Sequence, residues 1–191
     1  MAAMKTTENI STRRTYYLLQ NGLFGLLQIT PFEKITLKEL CSCSMVPRST
    51  FYRYFEDKND LLRYCLGFFF DSFQLSADII YLKDEESIRS FLLHLIEQLS
   101  KNKDMYYKIY RINREGIMMD MIKQYLTVLL TAKMNEADAN GAPLKISSPV
   151  FVYLLTDFYI SVAKCYLDSS DESSTEAFVN DVYLFSCKDF F

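Results

Sequence analysis

The sequence predicts an all-α fold of about nine helices, three in an N-terminal head and six in a C-terminal body. The 191-residue chain contains only five Gly and four Pro, so long stretches lack the residues that most often interrupt helices. Apolar residues recur at helical spacing through most of these stretches. Half of the residues are apolar and 15% are aromatic, which is enough for a core and excludes a disordered chain.

The first two helices of the head carry clear sequence signals. Residues 12–28 place five leucines on one broad stripe, as expected for a helix that packs against a core. Thr36 and Glu39 then form a T-x-x-E capping box, in which each side chain can satisfy a free backbone N–H at a helix start. A second helix is therefore predicted to begin at the capping box.

The third helix is predicted to be about two turns long, and an isolated helix of that length is marginal in water. Pro47 is expected at its first position, where the missing N–H costs no hydrogen bond. Phe51 and Phe55 lie four residues apart and are expected to anchor one face. The other face carries arginines, hydroxyls and phenols, which suit phosphate and major-groove contacts: Arg48, Ser49, Thr50, Tyr52, Arg53 and Tyr54.

A fourth helix is predicted from Asp57, its N-cap, as far as Ile80. Its middle contains Phe68, Phe69 and Phe70, so it is apolar on every side there. A helix that is apolar all round is buried. We therefore expect this helix to run from the head into the core of the body.

Five further helices are predicted in the body, separated by short polar breaks. The clearest break is Asn140-Gly141-Ala142-Pro143, and a second polar loop covers 168–174. Apolar residues at helical spacing place the helices at 84–101, 104–113, 117–138, 148–167 and 175–190.

Three spaced motifs of the head resemble those of one known family. They are Pro31-Phe32-Glu33-Lys34-Ile35-Thr36, Ser49-Thr50-Phe51-Tyr52-Arg53-Tyr54-Phe55 and Asp57-Lys58-Asn59-Asp60-Leu61-Leu62. Through them the segment 12–62 is similar to the DNA-binding domain of the TetR/AcrR family of bacterial transcriptional regulators. The resemblance implies a helix-turn-helix DNA-binding domain over 1–56 and an effector-binding and dimerisation domain over 57–191.

The resemblance further implies a ligand-responsive transcriptional regulator, most often a repressor. It would bind a palindromic operator in double-stranded DNA as a homodimer, because paired recognition helices must enter successive major grooves. The alternative is a TetR-like activator or co-regulator whose body binds a partner protein instead of a small molecule. A nonspecific nucleic-acid-binding protein is a third interpretation, which the acidic body disfavours.

The DNA contacts that the resemblance implies centre on the third helix. Arg48 is the candidate for reading a base, because a guanidinium can donate bidentately to guanine O6 and N7. A contact to phosphate alone is the alternative for Arg48. Lys58 matches the position of a phosphate-binding lysine in the family. The expected DNA-binding residues are Arg48, Ser49, Thr50, Tyr52, Arg53, Tyr54, Lys58, Thr36 and Lys38.

The chain departs from the family at the turn between the second and third helices. The family usually has Ala-Gly-Val there, and this chain has Ser44-Met45-Val46. Glycine is favoured because positive φ is costly for a residue that carries a side chain. We therefore expect a strained or differently shaped turn at Met45.

An effector pocket is expected between the fourth and seventh helices. It would bind an aromatic or anionic small molecule of unknown identity. Plain core packing is the alternative, because apolar side chains at helical spacing ordinarily fill a core. The expected effector-binding residues are Phe73, His94, Tyr107, Tyr110 and Met118.

Charge is distributed unevenly along the chain, whose net charge is −3. Residues 1–60 carry +2 and residues 61–191 carry −5. The asymmetry is mild, so it is weak support for nucleic-acid binding. A small basic head on a larger acidic body nevertheless suits a regulator better than a protein that coats DNA.

The sequence offers no catalytic constellation, no metal site and no cofactor motif, so we expect a non-enzyme. The single histidine has no nearby nucleophile, and phosphate-binding glycine loops are missing. The five cysteines are scattered and are expected to be reduced apolar filler, with redox sensing by Cys65, Cys165 or Cys187 as the alternative. No apolar run reaches the ~18 residues of a membrane span, and residues 1–9 lack a signal-peptide pattern, so we expect a cytoplasmic protein with no membrane partner.

Overall fold

The computed structural model describes residues 10–72, 85–138, 147–169 and 174–187, and these residues form nine α-helices and no β-strand. The predicted all-α class is confirmed. The helices are α1 (Ile10–Leu27), α2 (Leu37–Cys43), α3 (Arg48–Phe51), α4 (Lys58–Asp71), α5 (Glu85–Ser100), α6 (Lys103–Asn113), α7 (Ile117–Asp138), α8 (Ser148–Asp168) and α9 (Thr175–Cys187).

Several of the sequence predictions concern residues outside the described ranges. They include the break at 140–143, most of the loop at 168–174, the end of the predicted helix 175–190 and the course of the fourth helix beyond Ser72. A short 3₁₀ turn over Phe32–Lys34, which the sequence analysis did not predict, precedes α2.

The chain divides into two compact units. The first contains the described residues within Met1–Phe69 and Lys108–Met121, and the second contains those within Phe70–Tyr107 and Ile122–Phe191. The first unit is therefore built from two separate stretches of sequence. Each of α4, α6 and α7 contributes residues to both units.

The start of α2 is fixed by the capping box that the sequence predicts. The Glu39 N–H donates to Thr36 Oγ1 at 3.2 Å, and the Thr36 N–H donates to Glu39 Oε2 at 2.8 Å. The Thr36 hydroxyl donates to the same carboxylate at 2.7 Å. The hydroxyl bond first, and the N–H bond second, lower the pKa of Glu39, because both favour the charged carboxylate.

The turn between α2 and α3 carries the strained backbone expected at Met45. Its φ is 53°, the one positive value at a non-glycine residue in the described part of the chain. The Met45 side chain is 81% exposed, so packing contributes little to offset the strain. Ser44 beside it is buried, and its hydroxyl donates to the Leu40 carbonyl at 2.7 Å. A Cβ on Gly22 would overlap Ser44 Oγ, so this glycine lets α1 approach the turn closely.

The third helix is shorter than predicted, with a single turn over four residues. Pro47 is its N-cap and not its first helical residue, because its ψ of 145° is extended. After Phe51 the backbone continues as overlapping turns. The Arg53 N–H donates to the Thr50 carbonyl at 3.2 Å, and the Phe55 N–H donates to the Phe51 carbonyl at 3.0 Å.

Asp57 caps α4 as predicted, since its Oδ1 accepts from the Asp60 N–H at 2.8 Å. The prediction that α4 is buried all round at its phenylalanines is wrong in part. Phe70 is 8% exposed and stacks on Tyr125 at 5.4 Å between ring centroids, but Phe68 is 38% exposed. Composition alone cannot indicate which side of an apolar helix has a neighbour.

The second unit is organised around α5, which packs along α9 and contacts α8. The Phe91 ring lies 5.1 Å from the ring of Tyr159 on α8. The Arg89 guanidinium lies 4.1 Å from the Tyr183 ring centroid and donates to Asn180 Oδ1 at 3.1 Å, both on α9. These contacts join three helices into one core.

One described helix, α8, is long and apolar enough to cross a membrane by length and composition, which the sequence analysis did not anticipate. A core helix of a soluble protein meets the same criteria, and 44% of its apolar window is buried. Asp157, in the middle of α8, accepts from Lys123 Nζ of α7 at 2.9 Å. An ion pair at mid-helix, with both side chains partly exposed, does not suit contact with lipid at that position.

Met45→Gly should stabilise the protein. The left-handed conformation costs ~1–2 kcal/mol at a residue with a side chain, and part of this gain is offset by the larger unfolded-state entropy of glycine, ~0.5–1 kcal/mol. We expect a net gain of ~0.5–1 kcal/mol, measured from the denaturant midpoint at an unchanged slope. Ser42→Gly, in ordinary helical backbone of α2, should lower the midpoint instead. A fall for both variants would show that Met45 is not strained.

Candidate nucleic-acid interface

The predicted DNA-contacting face, which runs from α3 into the turns that follow it, is exposed to solvent. Arg48, Ser49, Tyr52 and Arg53 are exposed, and Thr50 is half-buried. The Arg53 guanidinium lies 5.8 Å from the Tyr54 ring centroid, and that ring partly orients it. The face therefore presents two cations, a hydroxyl and a phenol together.

The opposite face of α3 is buried, as predicted. Phe51 has no exposed surface and Phe55 has 5%, and their ring centroids are 5.7 Å apart. Burial of two aromatic side chains offsets the low intrinsic stability of a one-turn helix. The sequence expectation that these residues anchor the helix is confirmed.

An aromatic cluster in the first unit holds the end of this segment against α1 and α4. The Tyr16 ring centroid lies 5.2 Å from Tyr54, 5.5 Å from Phe55 and 4.8 Å from Tyr64. Tyr64 in turn lies 5.0 Å from Phe68. Tyr54 is half-buried in this cluster, so only part of its side chain is available to DNA.

Thr36 and Lys38, the two predicted contacts near α2, differ in their surroundings. Both are exposed, but the Thr36 hydroxyl is engaged in the capping box, where it accepts one hydrogen bond and donates another. A DNA contact through that hydroxyl would compete with the cap. Lys38 lies on the first turn of α2.

Lys58 is held by the 3₁₀ turn that precedes α2. Its Nζ donates to the carbonyl oxygens of Phe32 at 2.8 Å, Glu33 at 3.0 Å and Ile35 at 2.7 Å. The ammonium also lies 4.8 Å from the Phe32 ring centroid. Since an ammonium has three N–H donors, this carbonyl cage uses all of them. Burial lowers the pKa of Lys58, and the nearby Glu33 and Asp57 carboxylates oppose that shift.

The same turn is fixed from another side by Asn113, the last residue of α6. Asn113 is 1% exposed, and its Oδ1 accepts from the Phe32 N–H at 2.7 Å. Its Nδ2 donates to the carbonyls of Leu27 at 3.0 Å and Ile109 at 2.9 Å. One amide therefore joins the end of α1, the turn and the end of α6.

Glu33 adds a second connection between the turn and the α6–α7 hairpin. Its Oε1 accepts from the Ile117 N–H, the first of α7, at 2.6 Å. Gly116 makes this approach feasible, because its φ is 110° and a Cβ there would overlap the Glu33 carboxylate. A carboxylate at a helix N-terminus is also favoured by the helix dipole.

The predicted effector residues do not fall in one unit. Tyr110 and Met118 belong to the first unit, where Met118 is 3% exposed, and His94 and Tyr107 belong to the second. His94 is half-buried, with Nε2 3.2 Å from the Ser72 carbonyl oxygen. Phe73 lies outside the described residues. An effector pocket formed by these residues stays a prediction.

Metal and thiol chemistry gain no support from the described part of the chain. No group of three or more His, Cys, Asp or Glu residues is close enough there to hold a metal ion. Cys41 and Cys65 are buried, and Cys43 and Cys165 are exposed. Burial raises the pKa of the Cys65 thiol to about 12, so this side chain is an inert apolar one.

No protein-family model matches the sequence, and no curated protein matches it. Solved structures do share the fold. A TetR transcriptional regulator from Streptococcus agalactiae matches with a TM-score of 0.59 at 17% identity, over 92% of this chain and 94% of its own. A Listeria innocua protein matches with a TM-score of 0.68 at 18% identity, over 97% of this chain and 96% of its own.

A third similar structure is the fatty acid degradation regulator FadR from Bacillus halodurans. It matches with a TM-score of 0.59 at 14% identity, over 90% of this chain and 93% of its own. At identities this low the likeness concerns the fold. The chain therefore has a TetR-like all-α fold along nearly its whole length.

Sequence reasoning missed the residues that support the candidate interface. Asn113 reaches Phe32 across 81 positions and Leu27 across 86, so no local pattern marks it. Tyr16 and Tyr64 read as ordinary helix-face aromatics until the fold brings them together. The one local signal was Gly116, a glycine directly before a predicted helix.

Lys58→Met should separate a structural lysine from a phosphate-binding one. Methionine keeps the apolar stem and removes the ammonium. The carbonyls of Glu33 and Ile35 then lose the Lys58 donor, the Phe32 carbonyl keeps only the Ile35 N–H, and unfolding becomes easier by ~1–3 kcal/mol. The slope of log affinity for DNA against log salt should stay unchanged. A phosphate contact by Lys58 would lower that slope by ~0.9. Lys38→Met is the control. Because Lys38 is exposed and is expected to contact phosphate, its replacement should lower the slope of log affinity against log salt without a loss of stability.

Proposed function

We propose that this protein is a ligand-responsive transcriptional regulator of the TetR type, acting as a repressor. It would bind a palindromic operator in double-stranded DNA as a cytoplasmic homodimer. Residues 1–56 would form the DNA-binding domain, and residues 57–191 would bind the effector and dimerise. The fold, the exposed face of α3 and the apolar surface of the second unit support this proposal together.

The observation that carries the proposal is the contrast between the two faces of the segment formed by α3 and the turns that follow it. One face exposes Arg48, Tyr52 and Arg53, while Phe51 and Phe55 on the other face are buried. A four-residue helix is not stable by itself, so packing of its buried face must stabilise it and thereby fix the side chains on its exposed face. Cations and phenols on a short anchored helix suit phosphate contacts and base edges in a major groove.

Dimerisation is supported by apolar side chains left exposed on α8 and α9. Val150, Tyr153 and Leu154 on α8 are 52%, 68% and 58% exposed. Phe185 on α9 is 58% exposed and stacks on Phe158 of α8. Contiguous exposed apolar side chains indicate an interaction surface, and two copies that cover it would also place two α3 helices on one operator.

A small-molecule effector is supported by one buried group in the second unit. The Tyr159 hydroxyl is buried and has no hydrogen-bond partner among the described residues. Burial raises the pKa of this phenol, so it stays protonated and can donate. An unpaired buried donor costs ~1–3 kcal/mol, and an effector that carries a carbonyl or carboxylate would satisfy it.

The alternative is an activator or co-regulator whose body binds a partner protein. The two proposals differ in what must be added to change operator affinity. A small-molecule effector changes the affinity of the purified protein alone, with a coupling of ~1–3 kcal/mol that is reciprocal between effector and operator. A partner-dependent regulator responds only when the second protein is present.

Arg48→Ala should weaken binding to an operator selected by the wild type from a random duplex library. A lost bidentate contact costs ~1–3 kcal/mol and relaxes the preference at one base pair. Binding to a random duplex should change much less. Fluorescence anisotropy with both duplexes measures this. The control is Arg63→Ala, which removes an exposed arginine of α4 that pairs with Asp60 at 3.8 Å. Equal losses on both duplexes would show that Arg48 contacts only phosphate.

Leu154→Arg should dissociate the proposed homodimer. A charge buried at an apolar interface without a partner raises the free energy of association by ~2 kcal/mol or more. Sedimentation at micromolar concentration should show a dimer for the wild type and a monomer for the variant. Ile29→Arg is the control, because Ile29 is 73% exposed in the first unit. A wild-type monomer at that concentration would contradict dimerisation through this surface.

A further inference from the structure

The 3₁₀ turn over Phe32–Lys34 is connected to both ends of the segment that carries the proposed DNA-contacting face. Ile35 and Thr36 link the turn directly to α2, and α2 packs on α3. The chain leaves α3 and reaches Lys58, whose ammonium returns to the carbonyls of the same turn. The segment from α2 to the start of α4 is therefore a closed module tied at its base.

Two side chains hold the base of this module against α6 and α7. Asn113 is buried, and it accepts from the Phe32 N–H and donates to the carbonyls of Leu27 and Ile109. Glu33 accepts from the Ile117 N–H at the start of α7. Both contacts lie within the first unit, and neither touches α3 itself.

We propose that Asn113 and Glu33 are positioning residues for DNA recognition, which fix the closed module, and with it α3, in one pose against the end of α6 and the start of α7 within the first unit. The inference rests on the proposed DNA-binding function. A specific operator is recognised only when each α3 is held at the correct depth and angle in the major groove. Contact between exposed cations and phosphates does not need that precision.

This role predicts a loss of selectivity rather than a uniform loss of affinity. Without the two contacts the module samples several poses, and only a fraction of them fits a specific site. Affinity for a selected operator should fall in proportion to that fraction. If about one pose in ten fits, the fall is about tenfold. Affinity for a random duplex of equal length should change less than about twofold, because it depends on charge.

The test compares Asn113→Ala and Glu33→Ala with the wild type, all as full-length protein. Glu115→Ala is the matched control, because it removes the same charge from an exposed residue two positions from Ile117. The first measurement is amide hydrogen exchange without DNA. In Asn113→Ala the Phe32 amide loses its acceptor and should exchange about tenfold faster or more. Amides in the middle of α1 and α4 should keep their protection.

The second measurement is affinity for a duplex selected by the wild type from a random library, and for a random duplex. A fall in the ratio of the two affinities for both variants, with Glu115→Ala like the wild type, supports the inference. An unchanged ratio despite faster Phe32 exchange overturns it and leaves the two contacts purely structural. Equal losses on both duplexes, with protection lost in α1 and α4, overturn it as general unfolding.

A wild-type protein that selects no duplex would overturn the proposed function itself, and the positioning role with it. The two failures are distinguishable. Failure of the positioning role alone appears only in the variants, whereas failure of the proposed function appears already in the unaltered protein. Glu33→Ala guards the test against misfolding of Asn113→Ala, because Glu33 is exposed and its removal leaves the core intact.

Discussion

The backbone polar groups of one short turn must find hydrogen-bond partners before the proposed DNA-contacting segment has a defined position. A 3₁₀ turn leaves N–H and carbonyl groups unpaired at its ends, and burying them unpaired is costly. Here Lys58 supplies three donors to the carbonyls, and Asn113 supplies the acceptor for the Phe32 N–H. Both side chains come from elsewhere in the chain, so satisfying the turn also assembles the first unit.

This arrangement separates the groups that hold the module from the groups that it presents. Arg48 and Arg53 are exposed on a helix whose stability comes from aromatic packing behind it. Lys58 of α4 is instead used internally, and its ammonium donates to three backbone carbonyls. Arg48 and Arg53 can therefore vary without loss of this support, whereas Thr36 and Tyr54 cannot, because they also take part in the capping box and the aromatic cluster.

Local signals predicted the fold well and the supports of the site poorly. The Thr36–Glu39 capping box and the Phe51–Phe55 anchor are short-range patterns, and the structure confirms both. The Phe68–Phe70 run was misjudged, because composition does not indicate which side of a helix has a neighbour. The long-range contact from Asn113 to Phe32 had no local pattern at all. Its amide is identifiable only once the fold places it beside an unpaired N–H.

The discontinuous make-up of the first unit has a consequence for biosynthesis. A ribosome releases the chain from its N-terminus, so residues 10–69 emerge well before residues 108–121. Until Asn113 has been made, the Phe32 N–H lacks its acceptor, and the carbonyl of Leu27 lacks its donor. The head of the nascent protein must therefore wait, incompletely paired, for about forty more residues at an elongation rate of ~5–20 per second, which is a delay of seconds. The part of this chain that is synthesised first can therefore be completed only after a later stretch of the chain, residues 108–121, has also been made.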